Sequence, residues 1–207
     1  LIRQGKRLSA EMRDYLPEAV RACRGGVGRV HLVGRHVDGA ILQELFTREG
    51  VGTLVTPGSL ESLREASLKD IGGVLQLIEP LEAEGVLVKR GRDLLEREID
   101  RFRVLEHDGR IVGCVALYPF PEHKSGELAC LAVDPEYRNA GYGDALLESV
   151  ETRARKLGLK RLFVLTTRTA HWFIERGFVE QTQDALPRRR QALYNLQRRS
   201  KVFGKRL

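Results

Sequence analysis

Leu131-Ala132-Val133-Asp134-Pro135-Glu136-Tyr137-Arg138-Asn139-Ala140-Gly141-Tyr142-Gly143 decides how this chain reads. It begins as an apolar strand, passes through an R-x-x-G-x-G loop at 138–143 and runs into a helical pattern over residues 144–157. There Leu146, Val150, Ala154 and Leu157 recur on one side. Glycines at 141 and 143 let backbone N–H groups converge at a helix N-terminus, where the macrodipole adds partial positive charge. That combination makes a pyrophosphate cradle. An ordinary strand-to-helix turn needs one glycine and no arginine.

The flanking segments supply the rest of a sheet. Residues 102–107 and 111–118 are apolar strand runs separated by Asp108-Gly109-Arg110, a strong hairpin signal, and residues 127–133 form a third strand. Helical periodicity covers residues 69–79, where Ile71, Val74, Leu75 and Ile78 share a face, and Pro80 is expected to end that helix. Residues 93–101 read as a short helix of mixed charge. Past the cradle, Gly158 stops the helix, residues 161–166 form a buried strand, residues 170–176 a short helix, and residues 192–202 carry strand-compatible side chains among many cations. Nearer the start, residues 8–24 read as a helix with Ser9 as its cap, 30–34 as a strand, 40–48 as a helix and 50–55 as a second strand. This piece is too small to close a sheet alone. Thr56-Pro57-Gly58-Ser59 carries turn chemistry and marks the domain boundary.

A chain of 207 residues accommodates one good-sized domain plus a fragment, or two small domains. With 42% hydrophobic and 30% charged residues it can bury a core and lacks the signature of disorder. No stretch approaches the length of a membrane span or a signal peptide, and a cytoplasmic protein is expected. Cys23, Cys114 and Cys130 are an odd number with no C-x-x-C pair, which argues against a disulfide framework and against a zinc site; no metal is expected. The net charge of +7 suits a partner rich in phosphate or carboxylate. The start on Leu1 suggests a missing N-terminal portion or a processed chain.

The R-x-x-G-x-G loop between strand and helix resembles the acyl-CoA signature of the GNAT superfamily of N-acetyltransferases. The resemblance covers residues 67–207 and includes Trp172-Phe173-Ile174-Glu175-Arg176-Gly177-Phe178, which matches the family's helix and G-F turn after the fifth strand. Other runs are similar to the bacterial N-acetylglutamate synthases: Leu117-Tyr118-Pro119-Phe120-Pro121, Glu127-Leu128-Ala129-Cys130, Leu162-Phe163-Val164-Leu165-Thr166-Thr167, His171-Trp172-Phe173, and Leu193-Tyr194-Asn195 leading to Gln197-Arg198-Arg199-Ser200-Lys201-Val202. In that family a GNAT domain follows an amino-acid-kinase-like domain that senses arginine. Residues 29–55, with Asp38-Gly39-Ala40-Ile41-Leu42-Gln43-Glu44-Leu45-Phe46, resemble the end of that kinase-like domain. The resemblance implies an α/β (α+β) GNAT acyl-CoA N-acyltransferase fold, a mixed central sheet flanked by helices and preceded by a small α/β fragment. Residues 1–57 are then the kinase-like fragment, 58–66 a linker and 67–207 the acetyltransferase domain.

Acyl transfer from a thioester to an amine needs a neutral amine, a polarised carbonyl and a tolerable thiolate leaving group. An amino acid at neutral pH is an ammonium, so a base is required. The resemblance places that base at Glu127, acting directly or through water; on its own Glu127 would read as a solvated strand-edge glutamate. It further implies that the strand splays from its neighbour beyond Leu131. Leu131, Ala132 and Val133 then serve the pantetheine arm of acetyl-CoA, and Arg138, Asn139, Ala140, Gly141, Tyr142 and Gly143 its pyrophosphate. Many GNAT enzymes carry a tyrosine general acid four residues before the glycine of the G-F turn; here that position is Phe173, leaving solvent, Thr166 or Tyr194 as the acid.

Arginine forks match carboxylates in bidentate fashion, and the resemblance points to Arg90 and Arg198, with Ser200 as a helper hydroxyl, for the two carboxylates of L-glutamate. Among 35 Lys and Arg residues, each would otherwise read as a surface cation. The implied reaction yields N-acetyl-L-glutamate, the entry to arginine biosynthesis. L-arginine is the implied inhibitor of the full-length protein, and a homo-oligomer is expected. Competing readings are acetylation of another acidic amino acid or a protein N-terminus, and a nucleic-acid-binding role for the basic tail from Arg188 to Arg206, which lacks interleaved aromatics. Cys130 beside the cofactor strand invites a covalent acyl-cysteine mechanism, but no histidine or arranged base accompanies it. His171 is expected on a helix surface beside the site.

Overall fold

The computed structural model describes residues 9–47, 50–194 and 200–207. Contacts divide the chain into two units, Leu1–Leu60 and Glu61–Leu207. In the first unit α1 (Ala10–Arg24) starts at Ser9, whose hydroxyl accepts the Met12 N–H at 3.2 Å. Two short strands, β1 (Val30–Leu32) and β2 (Thr53–Val55), pair antiparallel, with α2 (Ala40–Phe46) between them in sequence. Glu44 ties this unit together: its carboxylate accepts the Val51 and Gly52 N–H groups at 2.8 and 2.7 Å and lies 2.7 Å from His31 Nδ1. The helix–strand–helix–strand order matches the periodicity of the sequence.

The second unit is a seven-stranded sheet of β3 (Glu61–Glu65), β4 (Phe102–His107), β5 (Arg110–Phe120), β6 (Ser125–Val133), β7 (Arg161–Thr166), β8 (Val179–Gln181) and β9 (Lys201–Arg206), in the order β3-β4-β5-β6-β7-β9-β8. Every pairing is antiparallel except β6 with β7. That parallel pair needs a crossover, and α5 (Tyr142–Lys156) provides it. Asp108 and Gly109, at φ 50° and 78°, make the left-handed two-residue turn between β4 and β5 that their sequence announces.

Each face of the sheet is covered. On one, Ile71, Val74 and Ile78 of α3 (Ile71–Ala83) and Leu95 of α4 (Arg92–Glu98) pack against Phe102, Val104, Cys114 and Ala132. On the other, Leu146, Val150 and Ala154 of α5 meet Val112, Leu117, Leu128, Leu162 and Phe203, with Phe173 of α6 (Ala170–Ile174) and Phe178 joining them. A fully buried aliphatic or aromatic side chain contributes roughly 1.5–3 kcal/mol, so Ile78 and Leu146 alone are a sizeable part of the net stability. A last short helix, α7 (Arg188–Gln191), precedes β9.

Three sequence expectations change. Residues 61–65, read as linker, form the edge strand β3; Glu-Ser-Leu-Arg-Glu has one apolar residue and hides its strand character. An ion network holds it, with Arg64 forking Asp70 at 2.8 and 2.8 Å and also bonding Glu106, while Asp70 caps the start of the α3 segment through the Ser67 N–H and hydroxyl. Pro80 lies inside α3, which continues to Ala83, because a missing N–H removes one helical bond without preventing the final turn. The last strand begins at Lys201, and residues 195–199 of the stretch read as strand-compatible lie outside the described residues.

Candidate active site

The site starts with a strand that changes partners. β6 and β7 pair only at Ser125↔Arg161, Gly126↔Leu162 and Glu127↔Phe163, while β6 stays paired with β5 as far as Gly113↔Val133. The two strands therefore part directly after Glu127, four residues before the expected point at Leu131. A bulge re-aims the strand within the gap: Cys130 and Leu131 together oppose Val115, and Cys130 takes φ 53°. The Asp134 N–H bonds to Val112 O at 2.8 Å, so by strand alternation Ala132 also faces β5, and the main-chain groups of Leu131 and Val133 point into the gap.

At the far end of the gap the chain turns into α5. Asp134 stabilises the turn by accepting the Glu136 N–H at 3.0 Å and an Arg110 N–H at 2.9 Å. Asn139 and Gly141 adopt φ 67° and 82°, and Gly141 occupies the N-cap, where no side chain caps the helix. The N–H groups of the first helical turn thus face outward, as an anion cradle requires. A Cβ at Gly141 would meet nothing within 4 Å, whereas one at Gly143 would come to 3.0 Å from the Trp172 ring. Glycine at 141 serves backbone conformation and open approach; glycine at 143 serves close packing. Arg138, Asn139 and Ala140 are exposed, but the Tyr142 side chain is buried and donates to Glu61 at 2.6 Å, so only its main chain faces the cradle. Asp144, a negative charge in the first turn, is forked by Arg176, which also lies 3.9 Å over the Trp172 ring and lowers the Asp144 pKa. That pairing removes the repulsion an anion would meet.

Near Glu127 a cleft of about 930 Å³ opens, lined among others by Arg90, Tyr118, Glu127, Arg190, Tyr194 and Ser200. Glu127 is 9% exposed, and Arg190 forks it, Nε to Oε2 at 2.6 Å and Nη2 to Oε1 at 3.0 Å. Tyr118 is directly across the strand pair from Glu127; it donates to Glu98 at 2.6 Å, and burial together with that bond pushes its pKa up. Burial opposes the charge on Arg90, yet Cys130, Tyr118 and Glu127 around it hold its pKa above the ordinary value. Its Nη1 donates to Val88 O at 3.0 Å.

Three of the residues singled out for catalysis and acceptor binding, Glu127, Arg90 and Ser200, line this one cleft; Arg198 lies outside the described residues. Phe173 is core, packed edge-on to Trp172 and Phe178. Of the open candidates for the acid, Thr166 is bonded to Thr169 at 2.8 Å, and the Tyr194 hydroxyl donates to the Ser200 carbonyl. Cys130 is buried beside Cys114, whose thiol is pushed well up by their mutual bond and by burial; His171 is exposed and lies 3.1 Å from Glu175. Sequence reasoning missed Arg190 and Tyr118. Arg190 belongs to a basic run with no local sign of its partner, whereas Tyr118 was legible in principle once the register of β5 and β6 was known. Among the described residues no cluster of His, Cys, Asp or Glu is fit to hold a metal, and no helix is long and apolar enough to cross a membrane.

The sequence profile of the acetyltransferase (GNAT) family matches residues 73–178, and the chain belongs to that family. Curated relatives named amino-acid acetyltransferase include one from Azotobacter vinelandii, 58% identical over 98% of this chain and 47% of its own length, and one from Ralstonia nicotianae, 59% identical over 100% of this chain and 46% of its own. The chain thus spans about half the length of the curated relatives it matches. Among solved structures, N-acetylglutamate synthase from Neisseria gonorrhoeae complexed with coenzyme A and L-arginine is 43% identical with a TM-score of 0.85, covering 97% of this chain and 46% of that one. The same enzyme complexed with coenzyme A and N-acetyl-glutamate is 44% identical with a TM-score of 0.69, covering 97% and 47%.

Proposed function

We propose that this chain transfers the acetyl group of acetyl-CoA to the α-amine of L-glutamate, giving N-acetyl-L-glutamate and CoA, the first step of arginine biosynthesis. The observation that carries the reading is the place of Glu127, buried at the fork of β6 and β7 in a cleft walled by arginines. Six residues farther along β6, about 20 Å by strand rise, the open edge ends at Val133, and a short turn at Pro135–Tyr137 leads from it to the loop at residues 138–143. The outward N–H groups there, with Arg138, fit a pyrophosphate, and the main chain at 131–133 fits an amide-bearing arm. Acetyl-CoA supplies the activated acetyl group. Glu127 takes one proton from the ammonium, directly or through water; the neutral amine then attacks the thioester carbonyl to form the N–C bond, and as the C–S bond breaks the second amine proton passes to the departing CoA thiolate. Arg90, Arg198 and Ser200 hold the acceptor's carboxylates.

The names and bound molecules of the relatives support this choice of donor and acceptor. Residues 1–57 belong, in this reading, to the end of an amino-acid-kinase-like domain. The test is a thiol-release assay with acetyl-CoA across all twenty amino acids. Release selective for glutamate is expected; equal release with every acceptor, or selectivity for another amino acid, refutes the acceptor assignment.

A further inference from the structure

The general base of the proposed reaction is not available as it stands. Both carboxylate oxygens of Glu127 are taken by the in-plane fork of Arg190, and the two side chains are only 11% and 18% exposed. A carboxylate in that embrace has its charge neutralised and its best-placed lone pairs occupied. To accept a proton from an ammonium it must first be released.

The Arg190 backbone is poorly placed to move. Its N–H bonds to Pro187 O at 2.7 Å, the neighbouring Gln191 side chain bonds to Leu186 O at 2.7 Å, Arg161 bonds to Ala185 O at 3.1 Å, and Leu186 is buried. Release is therefore a swing of the Arg190 side chain, which needs a new acceptor for its fork. The amine must come to Glu127, and in an α-amino acid the carbon carrying that amine also carries a carboxylate. Any productive pose brings an α-carboxylate to where the fork is. One charge-assisted bidentate pair then replaces another, so the exchange costs little, whereas a neutral α-amide offers one uncharged oxygen and leaves the fork on Glu127.

We propose that Arg190 is a latch on Glu127 which the acceptor's α-carboxylate opens, coupling recognition of an α-amino acid to release of the base; this rests on the acceptor reading above. Arg190 thus has two roles, binding the acceptor's α-carboxylate directly and controlling the base through Glu127. A carboxylate has enough lone pairs to accept from Arg190 and from one further arginine at the same time.

The probes are L-glutamate and its α-amide, L-isoglutamine, which keeps the side-chain carboxylate. In the unmodified protein kcat for glutamate should exceed that for isoglutamine at least tenfold. In Arg190→Met the ratio should fall towards one, and KM for glutamate should rise about ten- to a hundredfold, the loss of one charge-assisted fork. Arg190→Lys should recover part of the KM and not the ratio. Thermal melts monitored by circular dichroism establish that each variant is folded. A kcat ratio unchanged in both variants overturns the latch. An activity-independent readout is the Arg190 Nε–H resonance, assigned by its loss in Arg190→Met: it should shift with N-acetyl-L-glutamate and not with N-acetyl-L-isoglutamine, and equal shifts with both overturn the proposal. Failure of the unmodified protein to acetylate glutamate at all is separate, and refutes the acceptor reading.

Discussion

Gly141→Val should abolish CoA binding and leave the fold standing, and the structure says how large each effect is. Gly141 sits at φ 82° with open space for at least 4 Å around the position a Cβ would take, so a side chain there meets no steric clash and costs only backbone strain. For an L-residue in the left-handed region that strain is about 1–2 kcal/mol, somewhat more with a β-branch. In a chain of this size each 1 kcal/mol lowers Tm by about 2–4 °C, so a drop of a few degrees to roughly ten is expected. Binding suffers more. The side chain projects into the open space before the free N–H groups of α5, and losing two N–H to phosphate bonds at about 1.5–3 kcal/mol each weakens CoA by two to four orders of magnitude. Gly158→Ala is the control: φ is 74°, nothing lies within 4 Å, and the residue follows the opposite end of the same helix. It should lower Tm similarly and leave CoA affinity intact. Calorimetric titration with CoA reads the difference. Undiminished affinity in Gly141→Val, or an equal loss in Gly158→Ala, would show that the loop is not the cradle.

Glu127→Gln should lower kcat about a hundred- to ten-thousandfold while KM changes less, because removing a base acts on the transition state; the deficit should narrow at high pH, where free amine is already populated. Turnover equal to the unmodified protein at neutral pH eliminates Glu127 as the base. Arg90→Ala should raise KM for glutamate about ten- to a hundredfold with KM for acetyl-CoA nearly unchanged, and Arg90→Lys should restore it in part; wild-type glutamate kinetics in Arg90→Ala would sink that assignment. Asp70, held well below the usual carboxylate range by the Arg64 fork first and by Ser67 second, contributes stability that is complete above its unfolded value of 3.8 and is lost as pH falls through its depressed folded value. Asp70→Asn should therefore cost about 1.5–3 kcal/mol at neutral pH in urea unfolding, with the gap to the parent closing in strong acid; a gap independent of pH contradicts the linkage.

The parts of the molecule legible in the sequence are those whose physics is local. Asp108-Gly109 announces its turn because both residues tolerate positive φ, and residues 131–143 announce strand, loop and helix because the apolar run, the loop glycines and the start of the helix are consecutive in the chain. β3 was hidden for the converse reason: one leucine among charges gives no period, and the strand exists because Arg64 reaches Glu106 on β4, 42 residues away, and Asp70 just beyond it. The early splay is equally nonlocal, being set by how far β7 can follow β6 before the bulge at Cys130 turns the latter aside.

Glu127 shows where the boundary falls within a single residue. Its strand and its place before the cradle follow from neighbours within a few positions, so the sequence can nominate it as a base. Its partner follows from the return of the chain 63 residues later, through a four-residue helix that no periodicity marks. With 35 lysines and arginines in the chain, residue type cannot single out the one that faces the carboxylate; closure of the sheet does. The sequence therefore nominates the carboxylate, and only the fold shows the arginine fork that holds both of its oxygens.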